Sequence, residues 1–233
     1  TSMGNDVSGE NNDFTVGGGD VTQTLDTPSN NFCTMNPLDT YNSPTITDGN
    51  TTINAGASDR SLRSTIGISQ GKWYWEVNTT ANNSANMGLI NGVVVLTDGN
   101  TLQGTSTNSV IFEGNGGGVY KNGTLIASYT GGTATYGFAF DLDAGTLKLS
   151  KDGVFYNSGS AVVTGITADT YLPLFAPNGG GSPTEFKANF GNGYFGTTEI
   201  VSPENDSAGL GKFAYAVPAG YYALNTKNLA EFG

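Results

Sequence analysis

The chain of 233 residues contains no histidine. That removes the usual general base, so Ser-His-Asp and Cys-His catalysis are both excluded, and it removes a principal nitrogen ligand for zinc. There is one cysteine, Cys33. A single thiol cannot form an intrachain disulfide, so an oxidising compartment is not demanded. With no imidazole to activate it, Cys33 reads as a buried structural thiol rather than a nucleophile. Cations are scarce: Lys and Arg total 9 against 20 Asp and Glu, giving a net charge of −11 and a pI near 4.1. A surface of that sign repels phosphate backbones and anionic lipid, so no nucleic-acid partner is expected. The sequence also lacks any apolar run of about 18 residues, so no membrane insertion is expected. No secretory leader is visible, and Thr1-Ser2-Met3 does not read as a natural start, as expected of a piece of a longer protein.

What the chain has instead is glycine (35 residues), 11% aromatics and abundant Asn, Thr and Ser. Disorder wants high charge and few aromatics, and this is the reverse. Gly and Asn tolerate positive φ, so the composition suits many short strands joined by tight turns. The most informative stretch is Gly71-Lys72-Trp73-Tyr74-Trp75-Glu76-Val77, which holds both tryptophans. Alternation puts Trp73, Trp75 and Val77 on one face and Lys72, Tyr74 and Glu76 on the other, the period of a half-buried strand. It is expected to be the central strand of a sandwich core, because two indoles bury more apolar area than any other pair here.

Around it the chain reads as a series of short strands. Residues 1–44 are expected to be an extended N-terminal arm ending in an edge strand, where Pro37 lacks a ladder donor. A hairpin is expected at Asp48-Gly49, between residues 45–47 and 51–53. Residues 87–90 and 93–96 read as buried strands, with the polar loop 81–85 before them. From residue 109 the pattern becomes a meander, with turns at Asn122-Gly123, Asp143-Ala144-Gly145 and Asp152-Gly153. Within it Tyr136, Phe138, Phe140 and Leu142 alternate on one side. No helix is expected. Strands at roughly ten-residue spacing indicate a sandwich or barrel.

In that order along the chain the residues resemble the SPRY (B30.2-like) family. Residues 71–77 are similar to its G-K-W-Y-W-E-V strand. Residues 136–147, with Phe138, Phe140 and Asp141, resemble its next hairpin, and Lys151-Asp152-Gly153 fits the turn that follows. Tyr171-Leu172-Pro173-Leu174-Phe175, Asn189-Phe190-Gly191 and Pro218-Ala219-Gly220-Tyr221 resemble its closing strands. The resemblance covers about residues 45–225. It implies an all-β fold, a bent antiparallel β-sandwich of the concanavalin-like jelly-roll type, over residues 45–233. Trp73, Trp75, Phe138, Phe140 and Phe190 would form its structural core. Residues 192–217 depart from the family pattern and read as an insertion. The flanks, residues 27–38 and 223–229, are similar to those of SPRY-like modules in virion proteins of environmental, especially marine, bacteriophages. That likeness implies a virion location, other virion proteins or further copies of the chain as partners, and a structural or adhesive role.

Candidate sites are few. Asp141 and Asp143, two apart beside a turn, could in principle serve glycoside hydrolysis or bind calcium with Asp152, but Asp at such positions ordinarily supports its own backbone. The glycine runs 114–118 and 179–181 lack the helix and Lys-Ser/Thr of a phosphate loop. Neither a cofactor nor a metal is expected. Aromatics flanked by Asn and Gly suit a sugar-binding surface, which makes Asn82, Asn83, Tyr120, Asn122 and Asn178 the candidate binding residues, with Phe175 beside them. The plainer reading is that Tyr120 and Phe175 pack inward. Three functions stay open: a non-catalytic virion module binding a host-surface glycan or protein, a glycan-active enzyme using Asp or Glu carboxylates, and an intracellular adaptor that binds a peptide.

Overall fold

The structure is a computed structural model that describes residues 4–6, 8–15, 17, 24–56, 58–80, 85–177 and 185–233. In chain order the first strands are β1 (Met35–Tyr41), β2 (Thr45–Thr47), β3 (Thr52–Asn54), β4 (Ser61–Ser64), β5 (Lys72–Thr79) and β6 (Ala85–Asn91). Helix α1 (Gly99–Thr105) follows, then β7 (Ser109–Glu113), β8 (Gly118–Lys121), β9 (Thr124–Ser128), β10 (Thr135–Asp141), β11 (Thr146–Lys151) and β12 (Val154–Phe155). The last part holds β13 (Tyr171–Pro177), β14 (Glu185–Asn189), β15 (Tyr194–Phe195), β16 (Thr198–Glu199), β17 (Glu204–Asn205), β18 (Lys212–Phe213), β19 (Tyr222–Ala223) and α2 (Thr226–Phe232).

These strands build a sandwich. One sheet has the order β1-β4-β13-β6-β7-β8-β9; the other has β12-β11-β10-β5-β14-β3-β2, with β19 added beside β5. Every pairing in the two sheets is antiparallel except β19 with β5. Strand β5 is central. β10 runs along one edge of it from Lys72 to Asn78, while the other edge is shared by β19 at Trp73 and Tyr74 and β14 from Glu76 to Thr79.

Period-two alternation sends Trp73, Trp75 and Val77 into the space between the sheets, where they meet Met87 and Leu89 of β6, Phe112 of β7 and Phe175 of β13. Trp75 stacks on Phe138 and Phe140, with centroids 5.7 and 5.2 Å away, and tilts against Phe190 at 6.4 Å. The Trp73 indole N–H donates to the Gln70 carbonyl at 2.7 Å, so its polar atom is not stranded. Burying an aromatic side chain of this size stabilises the fold by about 4–6 kcal/mol as an upper figure from area. Tyr136, Phe138, Phe140 and Leu142 all join this layer, as the alternation predicts. Cys33 is buried at its margin, and burial pushes its thiol pKa up.

Three expectations need correction. First, β5 is not half-buried: Tyr74 and Glu76, on its other face, are both 0% exposed. A second apolar layer of Phe32, Phe213, Tyr221 and Ala223 covers that face, with Phe213 edge-on to Tyr74 at 4.9 Å. Second, residues 93–96 are not a buried strand. Val93 and Val95 stand 89% and 80% exposed in a loop, while Val94 packs partly and Leu96 fully onto the sheet below. Hydrophobicity alone cannot tell a strand from a loop that anchors alternate side chains. Third, the described residues include two α-helices. Asp98 caps α1, its carboxylate accepting from the Thr101 N–H at 2.9 Å and the Thr101 hydroxyl at 2.7 Å. Asn225 caps α2 through the Asn228 N–H at 2.8 Å. Each is seven residues long, too short for a helical period to show in sequence, and each rests on packing rather than propensity.

The outer faces of both sheets are therefore occupied. Leu96 and Leu102 of the α1 segment lie on Ile90, Ile111 and Leu174 over one sheet. The stretch 206–224 lies over the other. The segment before β1 also meets the segment between β19 and α2. The Cys33 N–H donates to the Leu224 carbonyl and the Thr226 N–H to the Asn31 carbonyl, both at 2.9 Å.

Candidate functional site

The carboxylates that the sequence offers for chemistry hold the backbone instead. Asp141 is buried, ion-paired with Lys72 at 2.9 Å, and accepts from the Ala144 N–H at 2.9 Å; the Asp141 carboxylate in turn raises the Lys72 ammonium pKa. Asp143 accepts from the Gly71 N–H at 2.8 Å and Asp152 from the Thr135 N–H at 2.9 Å. Asp206 accepts from the N–H groups of Leu210, Gly211 and Ala223 at 2.8, 3.0 and 2.8 Å, and from the Asn228 side-chain amide at 2.9 Å. Each of these groups closes a turn or ties one segment to another.

Of the candidate binding residues, Asn82, Asn83 and Asn178 lie outside the described residues. Tyr120 is half-buried against the layer of Ile111 and Leu174. Asn122 is exposed with φ 51°, and its side-chain oxygen accepts from the Ser109 N–H at 3.0 Å, the ordinary work of a turn residue. Phe175 is 0% exposed and belongs to the core, so it offers no platform.

A concave feature of the surface lies elsewhere, where the sequence departs from the family pattern. After Phe190 the chain makes a small hairpin, β15–β16, in which Tyr194 pairs with Glu199. Asn189 sets its direction. Its side-chain oxygen accepts from the N–H groups of Gly191 and Gly193 at 2.9 and 3.2 Å, while its amide donates to the Lys212 carbonyl at 2.9 Å. The hairpin tip packs against the β2–β3 turn. A Cβ on Gly196 would stand 3.0 Å from both the Asp48 carboxylate and the Thr52 hydroxyl, and with φ 61° this position favours glycine twice over. Between the hairpin, that turn and Leu25 lie two adjoining clefts of about 240 and 310 Å³, which share Thr24, Asn192 and Tyr194. Glu199 and Lys212 line the first and Asp48 the second. In sequence, residues 192–217 read only as an insertion. The signal within it is Asn192-Gly193-Tyr194, an aromatic flanked by Asn and Gly as at Tyr120.

A second feature is a rim. Arg63 forks onto the Asp39 carboxylate, Nε to Oδ2 at 2.7 Å and Nη2 to Oδ1 at 2.9 Å, while its Nη1 donates to the carbonyls of Asn91, Gly92 and Val94 at 3.2, 2.9 and 2.9 Å. This holds the edge strand β1 beside the loop after β6. On those two segments Leu38, Val93, Val95 and, to a lesser degree, Tyr41 are exposed apolar side chains, Leu38 being 94% exposed.

No protein-family model matches the sequence, and no curated protein matches it. Solved structures do match in shape. The SPRY domain of human HERC1 superposes with a TM-score of 0.53 at 15% identity, over 66% of this chain and 96% of that one. The PSpry domain of TRIM65 superposes with a TM-score of 0.53 at 12% identity, over 68% of this chain and 92% of that one. In fold, then, the chain is an antiparallel β-sandwich of the SPRY type, with a layer of Phe32, Phe213, Tyr221 and Ala223 over the outer face of one sheet.

Proposed function

We propose that this protein is a non-catalytic interaction module, and more narrowly a structural or adhesive part of a bacteriophage virion: a tail fibre, spike or capsid appendage. The SPRY-type fold supports the interaction reading, and the flanking segments 27–38 and 223–229 support the virion reading. The observation that carries it is the rim. Leu38, Val93 and Val95 stand out from two segments that the Arg63 fork holds side by side. Exposed apolar side chains on segments that are held rigidly are one way a surface is prepared for a neighbour. Isolated exposed apolar residues need no such explanation. On this reading the neighbour is another virion protein or a further copy of the chain.

The enzyme reading gains nothing from the geometry, because the buried carboxylates Asp141, Asp206 and Glu76 each accept donors from the fold itself. The test is incorporation. Particles assembled with the Leu38→Asp, Val93→Asp double variant should carry markedly less of the chain than wild-type particles, while the isolated variant keeps its unfolding midpoint. Equal incorporation of a folded double variant would remove the rim from the interface.

A further inference from the structure

We propose that the twin cleft walled by the β15–β16 hairpin binds a saccharide, with Tyr194 as the ring that the sugar stacks on. This rests on the interaction-module reading and gives it a ligand class and a place. Four observations lead there. The first is shape: the two clefts share Thr24, Asn192 and Tyr194, so they form one groove with two lobes. Together they reach the size range of small-molecule sites, about 300–1,000 Å³.

The second is lining. Tyr194 is half-buried and belongs to both lobes, giving one aromatic face. Around it stand an amide, two carboxylates and an ammonium, from Asn192, Asp48, Glu199 and Lys212. An amphipathic ring with a few convergent planar donors and acceptors suits a ligand with an apolar C–H face and many hydroxyls.

The third is charge. Two carboxylates against one ammonium, on a chain of net charge −11, repel phosphate and acidic peptides and leave a neutral ligand favoured.

The fourth is a pair of unmatched polar atoms. Asn192 Oδ1, in a residue only 9% exposed, and Thr52 Oγ1, in one 3% exposed, have no hydrogen-bond partner. Asn192 lines both lobes, whereas Thr52 lines neither and its hydroxyl sits behind Gly196, a lining residue of the second. Buried polar groups are ordinarily paired, and those that are not call for an explanation. A hydroxyl-rich ligand, with a small shift of the amide, supplies a partner for the Asn192 oxygen. Asn189 and the Gly193 turn fix the hairpin in place, so the groove is formed before the ligand arrives.

The experiment is a titration of the whole chain, isotopically labelled, with cellobiose, maltose, lactose and chitobiose, followed by amide chemical shifts. The expected result is that at least one disaccharide shifts Asn192, Gly193, Tyr194 and Lys212 in a saturable way. Tyr194→Ala should then weaken that sugar tenfold or more with an unchanged thermal midpoint. Tyr120→Ala, on the opposite sheet, should leave it unaltered. Shifts centred on Tyr120 and Asn122, or shifts caused by inorganic phosphate or an unrelated peptide but by none of the sugars, would overturn the assignment. So would silence of the groove towards all four. If the groove is silent while the Leu38, Val93 variant still fails to enter particles, the saccharide site falls and the module reading stands. A sugar-binding chain that is absent from particles would do the reverse.

Discussion

The Glu76 carboxylate, at the centre of β5, accepts a hydrogen bond from the Ala214 N–H at 2.8 Å, across 138 residues of sequence. The Tyr215 N–H reaches its other oxygen at 3.0 Å, and the Tyr74 hydroxyl and Asn189 amide complete the set at 3.2 and 3.4 Å. A buried acid on the middle strand thus anchors the segment that covers the outer face of the sheet.

Burial pushes the Glu76 pKa up to about 7 from an ordinary 4.5, while its four donors pull in the other direction. Because the folded value lies above the unfolded one, the folded state holds the proton more tightly. The contribution to stability is therefore complete below pH 4.5 and is lost as pH rises through about 7. Across that window the loss is at most about 3.5 kcal/mol, at about 1.4 kcal/mol per pKa unit. Urea unfolding from pH 4.5 to 8 should show this decline in wild type, and the Glu76→Gln variant should lack it. Parallel profiles for the two proteins would show that Glu76 does not titrate in this range.

Asp206 does for the covering segment what Glu76 does for the strand. Asp206→Ala would strand the donors of Leu210, Gly211, Ala223 and Asn228 in a residue environment only 5% exposed at its centre. The expected cost is about 3 kcal/mol, since buried unmatched donors are expensive to leave. Hydrogen exchange should accelerate over residues 206–228 before it does in β5 or β10. A loss below about 0.5 kcal/mol, the range of ordinary surface substitutions, would deny Asp206 that role.

Much of this was legible in the sequence and some was not. The Trp73, Trp75 face, the Tyr136, Phe138, Phe140 face and the Asp48-Gly49 hairpin follow from period two and from turn chemistry. They come from contacts whose rule is local. The burial of Tyr74 and Glu76 is not local. It depends on a segment more than a hundred residues away folding back, and a polar residue such as Glu76 carries no mark that a partner waits for it. The cleft escaped for a similar reason: its walls come from Leu25, the β2–β3 turn and the β15–β16 hairpin, three stretches with no common sequence pattern. Tyr120 and Asn122 stand out in sequence as an aromatic beside an Asn-Gly turn; in the fold Asn122 accepts from the Ser109 N–H and Tyr120 packs partly on Ile111 and Leu174.

Arg63 is 8% exposed and its guanidinium satisfies five acceptors' worth of geometry that an ammonium cannot copy. Arg63→Lys should cost about 1–3 kcal/mol, because the planar fork onto Asp39 is lost and carbonyls of the 91–94 loop are left short of a donor. Thermal unfolding gives the magnitude. If the rim depends on this fork, the same variant lowers incorporation into particles, although Leu38, Val93 and Val95 are all still present. Wild-type stability would show the fork to be ornamental.

The two-indole core has a direct check. Trp75→Ala removes a side chain that is 1% exposed and stacked on two phenylalanines. A loss of about 3–5 kcal/mol is expected, with the unfolding midpoint falling accordingly. A value under about 1 kcal/mol would be incompatible with the packing described, because a cavity of that size does not collapse without cost.

The central claim is that this chain works by holding and being held, and quantitative mass spectrometry of purified phage particles tests it most directly. The account predicts the chain in a fixed number of copies per particle, retained through a salt wash. Particles that are infectious and complete yet contain none of it, with the chain found only in the soluble fraction of infected cells, would contradict the account.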